Sequence, residues 1–185
     1  MRHLKARELA LAAMFTAVTA VFAQLVVPLG FTPVPFSLAM VALFLCGALL
    51  GPRAAFLSQL CYLLVGAAGV PVFSQFGAGL QKLAGPTGGY LAAYPFMALV
   101  ISLLLEKWGR GFWRTCAAMT VGLALCYTMG TAQLMLLTGS GVGAALMMAV
   151  VPFAPFDLVK IVLSAVLAAA LRRALRQARL LATLA

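Results

Sequence analysis

The chain is a succession of long apolar runs interrupted only by glycine, proline or small groups of positive charge. Six runs stand out, at about 8–27, 36–50, 54–72, 89–105, 113–137 and 152–171. Most approach the roughly 20 residues a helix needs to cross a bilayer, and none has the ten-residue alternation of a membrane barrel strand. A water-soluble core is ruled out by amount: 65% of 185 residues are hydrophobic and only 9% are charged, with a mean hydropathy of +1.12. A globule of this size cannot hide that much apolar surface. The expected fold is therefore an all-α integral membrane bundle of six transmembrane helices, with residues 1–185 forming a single transmembrane domain. The second run is short, and the third contains Gly66, Gly69 and Pro71, so a broken outer end is expected there. Residues 144–151 are too few to cross and should form a half-helix or a loop packed on the bundle.

The net charge of +10 would suggest nucleic acid in a soluble protein, but its placement points to lipid. With the N-terminus inside, eleven of the thirteen basic residues fall on one side: Arg2, Lys5, Arg7, Arg53, Lys107, Arg110, Arg114, Arg172, Arg173, Arg176 and Arg179. The outer segments hold only Lys82, and Lys160 lies within a span. The positive-inside rule then puts both termini in the cytoplasm of a cell membrane and turns 28–35, 73–88 and 138–151 outward. No nucleic-acid partner is expected, and the basic C-terminal run reads as the last helix emerging among anionic lipids. The first run leads into Pro28 and Gly30 with no small-residue cleavage site, so it is expected to remain as a helix. Cys46, Cys61, Cys116 and Cys126 have no metal-ligand spacing and read as small buried hydrophobes, so no metal is expected. The one histidine, His3, is near the terminus and no serine pairs with a base, so no catalytic residues and no enzyme are expected.

Asp157 and Lys160 are the costly residues, since a charge near the middle of a span costs about 2.5–3.5 kcal/mol on insertion scales. Their i, i+3 spacing permits a self-satisfied ion pair that pins the bundle. It equally permits a polar-solute site, because Pro152 and Pro155 mark a helix start just outward of them. Gly77, Gly79, Gly85, Gly88 and Gly89 crowd the next outer loop, where Gly85-Pro86-Thr87-Gly88-Gly89-Tyr90 spells a tight turn into a helix. Lys82 precedes that turn, so it is no nucleotide-binding phosphate loop. Tyr90 is either an interfacial belt residue or a cavity hydroxyl. The stiff segment 28–35, with Phe31, is either a lid or a connector. On the first helix Ala6, Ala10, Ala13, Ala17 and Ala20 form a small-residue stripe, which suits either internal packing or docking of another membrane protein. Gly47 with Gly51 reads as internal packing.

Taken together, Pro33-Val34-Pro35-Phe36-Ser37-Leu38, Gly51-Pro52, Tyr62, Gly66, Gly69-Val70-Pro71-Val72-Phe73, the Gly85 to Tyr90 turn, and Pro152-Phe153 leading to Asp157 and Lys160 resemble the BioY family. These are biotin-binding S components of energy-coupling factor (ECF) transporters. The likeness runs from about residue 10 to 170, and departs where many members read Thr-x-Gln against Ser37-Leu38-Ala39 here. It implies a six-helix S-component fold and capture of biotin, as transported ligand with no cofactor, from outside. It also implies import energised by a transmembrane coupling protein with two ABC-type ATPase subunits. On that resemblance, Asp157 accepts a ureido N–H and Lys160 donates to the ureido carbonyl. Phe36, Phe73 and Tyr90 wall the bicycle, Gln75 supplies an amide, and Ser37 lies in the contact region. Lys82 is either a carboxylate partner or an exposed rim lysine. Phe31, Gly77 and Gly85 belong to closing loops, and Ala13 and Ala17 to the docking face. An S component for another vitamin, or a carrier working alone, are the alternatives.

Overall fold

The computed structural model describes residues 6–27 and 36–177. These form eight α-helices: α1 (Ala6–Gln24), α2 (Ala39–Leu49), α3 (Pro52–Ala67), α4 (Leu80–Ala84), α5 (Gly88–Trp108), α6 (Phe112–Thr138), α7 (Val142–Ala149) and α8 (Ala154–Gln177). A 3-10 turn covers Ser74–Phe76. Strand β1 (Val26–Val27) pairs antiparallel with β2 (Phe36–Ser37), tying the end of α1 to the start of α2. Phe31 and the rest of 28–35 lie outside the described residues.

Helices α1, α5, α6 and α8 are long and apolar enough to cross a membrane; α2 has 11 residues and α3 has 16. The central post is α5, packed by α2, α3 and α6, with 67% of its most apolar window buried against 22% for α1. Close packing there depends on glycine. A Cβ on Gly47 would lie 2.8 Å from the Ile101 Cβ, and one on Gly122 would lie 2.6 Å from its Cγ1, so α2 and α6 grip the same α5 residue. Gly47 is thus internal packing, as its spacing suggests, whereas a Cβ on Gly51 would meet nothing within 4 Å.

Several expectations change for physical reasons. The third run stops as a helix at Ala67, because Gly69 takes φ +104 and Pro71 follows. The second run opens as β2, since Phe36 and Ser37 find partners in β1, and its helix begins only at Ala39. The last helix continues past 171 to Gln177. Arg172 there is buried and not among lipids: its Nε donates to the Ala168 carbonyl (3.1 Å) and its Nη2 to Thr115 Oγ1 of α6 (3.4 Å). Cys46 and Cys126 are buried, but Cys61 is exposed and Cys116 half-buried. Cys61 shares its outward face of α3 with the exposed Leu64 and Val65.

Helix α1 buries Ala12, Phe15, Thr19 and Ala23, while Ala6, Ala10, Ala13 and Ala17 are exposed and Ala20 is half-buried. Its inner contact with α3 is polar. Thr16 Oγ1 donates to the Ser58 carbonyl (2.8 Å), and Gln59 Nε2 donates to Thr19 Oγ1 (3.1 Å).

Candidate functional site

A cavity of about 420 Å³ opens at the end of the bundle where β2, the turn after α3, α4 and the starts of α5 and α8 meet. That volume lies in the range of small-molecule sites. Its polar wall is built by the start of α8. The helix begins at Ala154, so Asp157 sits in the first turn, about 4.5 Å along the axis, nearer the start than Pro152 suggested. The positive dipole end of the helix favours a carboxylate there, while the Ala154 and Asp157 amides are taken by the Val150 and Phe153 carbonyls. Three residues on, Lys160 Nζ reaches Asp157 Oδ1 at 2.8 Å. The ammonium also donates to the Ser37 carbonyl at 2.9 Å and lies 3.7 Å from the centroid of the Phe36 ring. The other carboxylate oxygen, Oδ2, accepts the Tyr127 hydroxyl of α6 at 2.6 Å. The two charges are thus both buried and both paired, which is what their position demands. Each carboxylate oxygen has a further lone pair, and Lys160 a third N–H, so the pair retains capacity toward a solute.

The facing wall is β2 and the first turn of α2. Phe36 meets Phe156 edge to face at 5.6 Å, and the Ser37 hydroxyl accepts the Ala39 amide at 3.1 Å, so the segment holding Lys160 is itself fixed.

The remaining wall is the chain from 68 to 90, held by side chains of neighbouring helices. Phe73 is fully buried against Tyr62, 5.5 Å between centroids, and its ring fills the space a Cβ on Gly66 would occupy. Tyr62 donates to the Val72 carbonyl at 3.1 Å and stacks on Tyr94 at 6.1 Å. Gln24, closing α1, bonds across the same turn. Gln133 of α6 donates to the carbonyls of Leu83 (2.8 Å) and Gly85 (2.9 Å), fixing the second turn. Gly88 and Gly89 admit close backbone contact at the start of α5, with Leu83 and with Met129 of α6. The glycines there serve helix contact.

Of the residues singled out from the sequence, Asp157, Lys160, Tyr90, Gln75, Phe73, Phe36 and Ser37 all line this one cavity, as do Gly85 and Lys82. Tyr90 is 6% exposed, its hydroxyl 3.4 Å from Thr131 Oγ1, which places it inside and not in an interfacial belt. Gly77 is outside the lining and closes the Phe73 turn through paired backbone bonds. Lys82 is half-buried, and among the described residues its ammonium makes no ion pair. With one carboxylate and two ammonium groups, the lining has a net charge of +1, which suits an anionic solute. Sequence reasoning does not reach Tyr127, Gln24 or Gln133. A tyrosine or glutamine inside an apolar run is the available signal, and it is a weak one. Among the described residues no cluster of His, Cys, Asp and Glu could hold a metal ion.

Comparison with known proteins bears on this arrangement. The BioY family matches residues 1–177. The probable biotin transporter BioY of Pyrococcus horikoshii is 39% identical over 157 residues, 85% of this chain and 91% of that protein. The biotin transporter BioY of Thermotoga maritima is 39% identical over 161 residues, 87% and 93% of the two chains. The helices superpose with a TM-score of 0.85 on the crystal structure of the S-component for biotin from an ECF-type ABC transporter, at 25% identity over 92% of this chain and 95% of that one. The all-helical architecture is therefore the S-component fold, and the family is one of membrane transporters and not of enzymes. A match running through all but the last eight residues, with relatives sharing over a third of their residues nearly end to end, makes this chain a member of the BioY family.

Proposed function

We propose that the chain is the high-affinity biotin-binding subunit of an ECF-type vitamin uptake transporter. It captures biotin from outside, and ATP hydrolysis on separate partner ATPase subunits, acting through a transmembrane coupling protein, drives import. The observation that carries this reading is the Asp157–Lys160 pair, buried, braced by Tyr127 and facing the cavity. A ureido ring has two N–H donors and one carbonyl acceptor, matching the spare acceptor capacity of Asp157 and the spare donor of Lys160. Phe36, Phe73 and Tyr90 take the bicycle, Gln75 and Ser37 add polar contacts, and Lys82 at the rim takes the carboxylate. A net charge of +1 in the lining complements the single negative charge of biotin.

In this reading α1, α2, α3, α5, α6 and α8 are six spans of a single domain in the cytoplasmic membrane, with both termini inside. Support comes from the distribution of charge: the end of the bundle away from the cavity has Arg53, Lys107, Arg110 and Arg114. The exposed face of α1 with Ala13 and Ala17 is the docking surface for the coupling protein, supported by its absence from the internal packing of the chain. Ala13→Leu with Ala17→Leu should therefore leave biotin affinity within about twofold while abolishing co-purification with the module and ATP-dependent uptake. Loss of affinity together with assembly would return the stripe to internal packing. The test of function is titration of purified protein with biotin, thiamin and riboflavin. Saturable binding of biotin alone is expected, and equal or stronger binding of another vitamin overturns the assignment.

A further inference from the structure

Gln24 does not line the cavity, yet its carboxamide spans the turn that presents Gln75 to it. Nε2 donates to the carbonyls of Val72 (3.1 Å) and Phe73 (3.2 Å), and Oε1 accepts the Phe76 amide (3.0 Å). Within the turn, Gln75 (φ 60) and Phe76 (φ 53) are consecutive non-glycine residues in the left-handed region. That conformation is unfavourable for any residue with a Cβ and persists only where the surroundings hold it. Packing does not hold it here, since Gln75 is exposed and Phe76 is 72% exposed. The Phe73–Gly77 bridge closes the turn on itself but does not attach it to the bundle. Attachment at the Phe76 end comes from the Gln24 amide, the side chain that offers donor and acceptor together.

We infer that Gln24 is a positioning residue for ligand retention: it clamps the Gln75 turn in its left-handed form, so that this wall of the cavity is built before the ligand arrives. The inference rests on the reading that the cavity binds biotin, and it adds a residue of α1 to the control of how long biotin stays. A preformed wall chiefly slows escape, because loosening it opens an exit without blocking entry.

The test uses the full chain in nanodiscs, with labelled biotin to read association and unlabelled biotin to chase it. Gln24→Met should raise the dissociation rate about tenfold and change association less than about twofold. Gln24→Glu, which keeps the acceptor for Phe76 and loses both donors, should fall between. The decisive variant adds Phe76→Gly to Gln24→Met: glycine adopts positive φ without strain, so dissociation should return to within about threefold of wild type. A residue that merely staples the fold gives no such rescue. Wild-type dissociation in Gln24→Met or in Gln24→Glu, or a double variant as leaky as Gln24→Met, overturns the inference. Hydrogen exchange at the Phe76 and Gly77 amides of the ligand-free protein reads the clamp without biotin, so it separates this inference from the functional reading. Protection there should fall about tenfold in Gln24→Met relative to the wild type, and unchanged protection overturns the clamp whatever the ligand is. Absence of biotin binding by the wild-type chain, with the exchange effect intact, contradicts the functional reading alone.

Discussion

The head of α8 and the seam between α1 and α3 both put polar side chains in the apolar interior, and they differ in what is left over. In the seam, Thr16, Thr19, Ser58 and Gln59 are neutral and bond mainly to one another and to backbone carbonyls of their own two helices. The cavity does not reach them, and among the described residues Gln59 Oε1 has no hydrogen-bond partner. At the head of α8 the groups are charged, their partners come from β2 and α6 as well as from α8, and they border open space. Neutral hydroxyls and amides suffice to join two helices, at about 0.6 kcal/mol per bond in membrane proteins. A buried ion pair is a poor source of stability, so a pair placed on a cavity wall is better explained by what enters the cavity.

That contrast is most exposed to failure at its charged end. Asp157→Asn and Lys160→Met should each weaken biotin binding by about 2–4 kcal/mol, since each removes a ligand contact and leaves the other charge unpaired. Calorimetric titration of folded protein checks it, and wild-type affinity in both variants would make the head of α8 another structural seam. Tyr127→Phe removes the 2.6 Å bond to Asp157 Oδ2 while keeping the ring. It should cost about 1–2 kcal/mol of binding, and an unchanged affinity would show that the carboxylate orients itself. Lys82→Met should cost no more than about 1 kcal/mol, in a salt-dependent way and for biotin but not for its methyl ester. An equal loss for the ester means that Lys82 does not read the carboxylate. Smallest of all, Gln59→Met should change the stability by no more than about 0.6 kcal/mol, because loss of the two bonds to Thr19 and Ser58 is offset by removal of an unsatisfied carbonyl, and leave biotin affinity unaltered. A change in affinity there would erase the distinction between the two regions.

The sequence announces these two regions very unequally. Asp157 and Lys160 are legible because a charge within an apolar run is an anomaly with a known cost. Phe36, Phe73, Tyr90 and Gln75 were found through a resemblance and through neighbouring glycine and proline, signals that mark irregular backbone without saying which cavity it borders. Tyr127 was not found because a tyrosine in a span is unremarkable in lipid, and its role depends on which face α6 turns to α8. Gln24 and Gln133 act on backbone carbonyls some fifty residues away, a pairing only the folded chain defines. The left-handed turn falls on Gln75 and Phe76 although Gly77 is adjacent, so the glycine rule points one residue too far. The burial of Arg172 did have a signal: Ile161, Ala165, Ala168 and Arg172 recur at four, three and four, one face of α8.

The central claim is that the charged pair at the head of α8 holds the ureido ring of biotin, and a crystal structure of the chain with biotin bound tests it most directly. The account predicts the ureido ring between Asp157 and Lys160, with hydrogen bonds of about 3 Å to both, the bicycle among Phe36, Phe73 and Tyr90, and the carboxylate pointing toward Lys82. Biotin bound in the reverse sense, its carboxylate on Lys160 and its ureido ring at the rim, would contradict it, as would density for biotin anywhere outside this cavity.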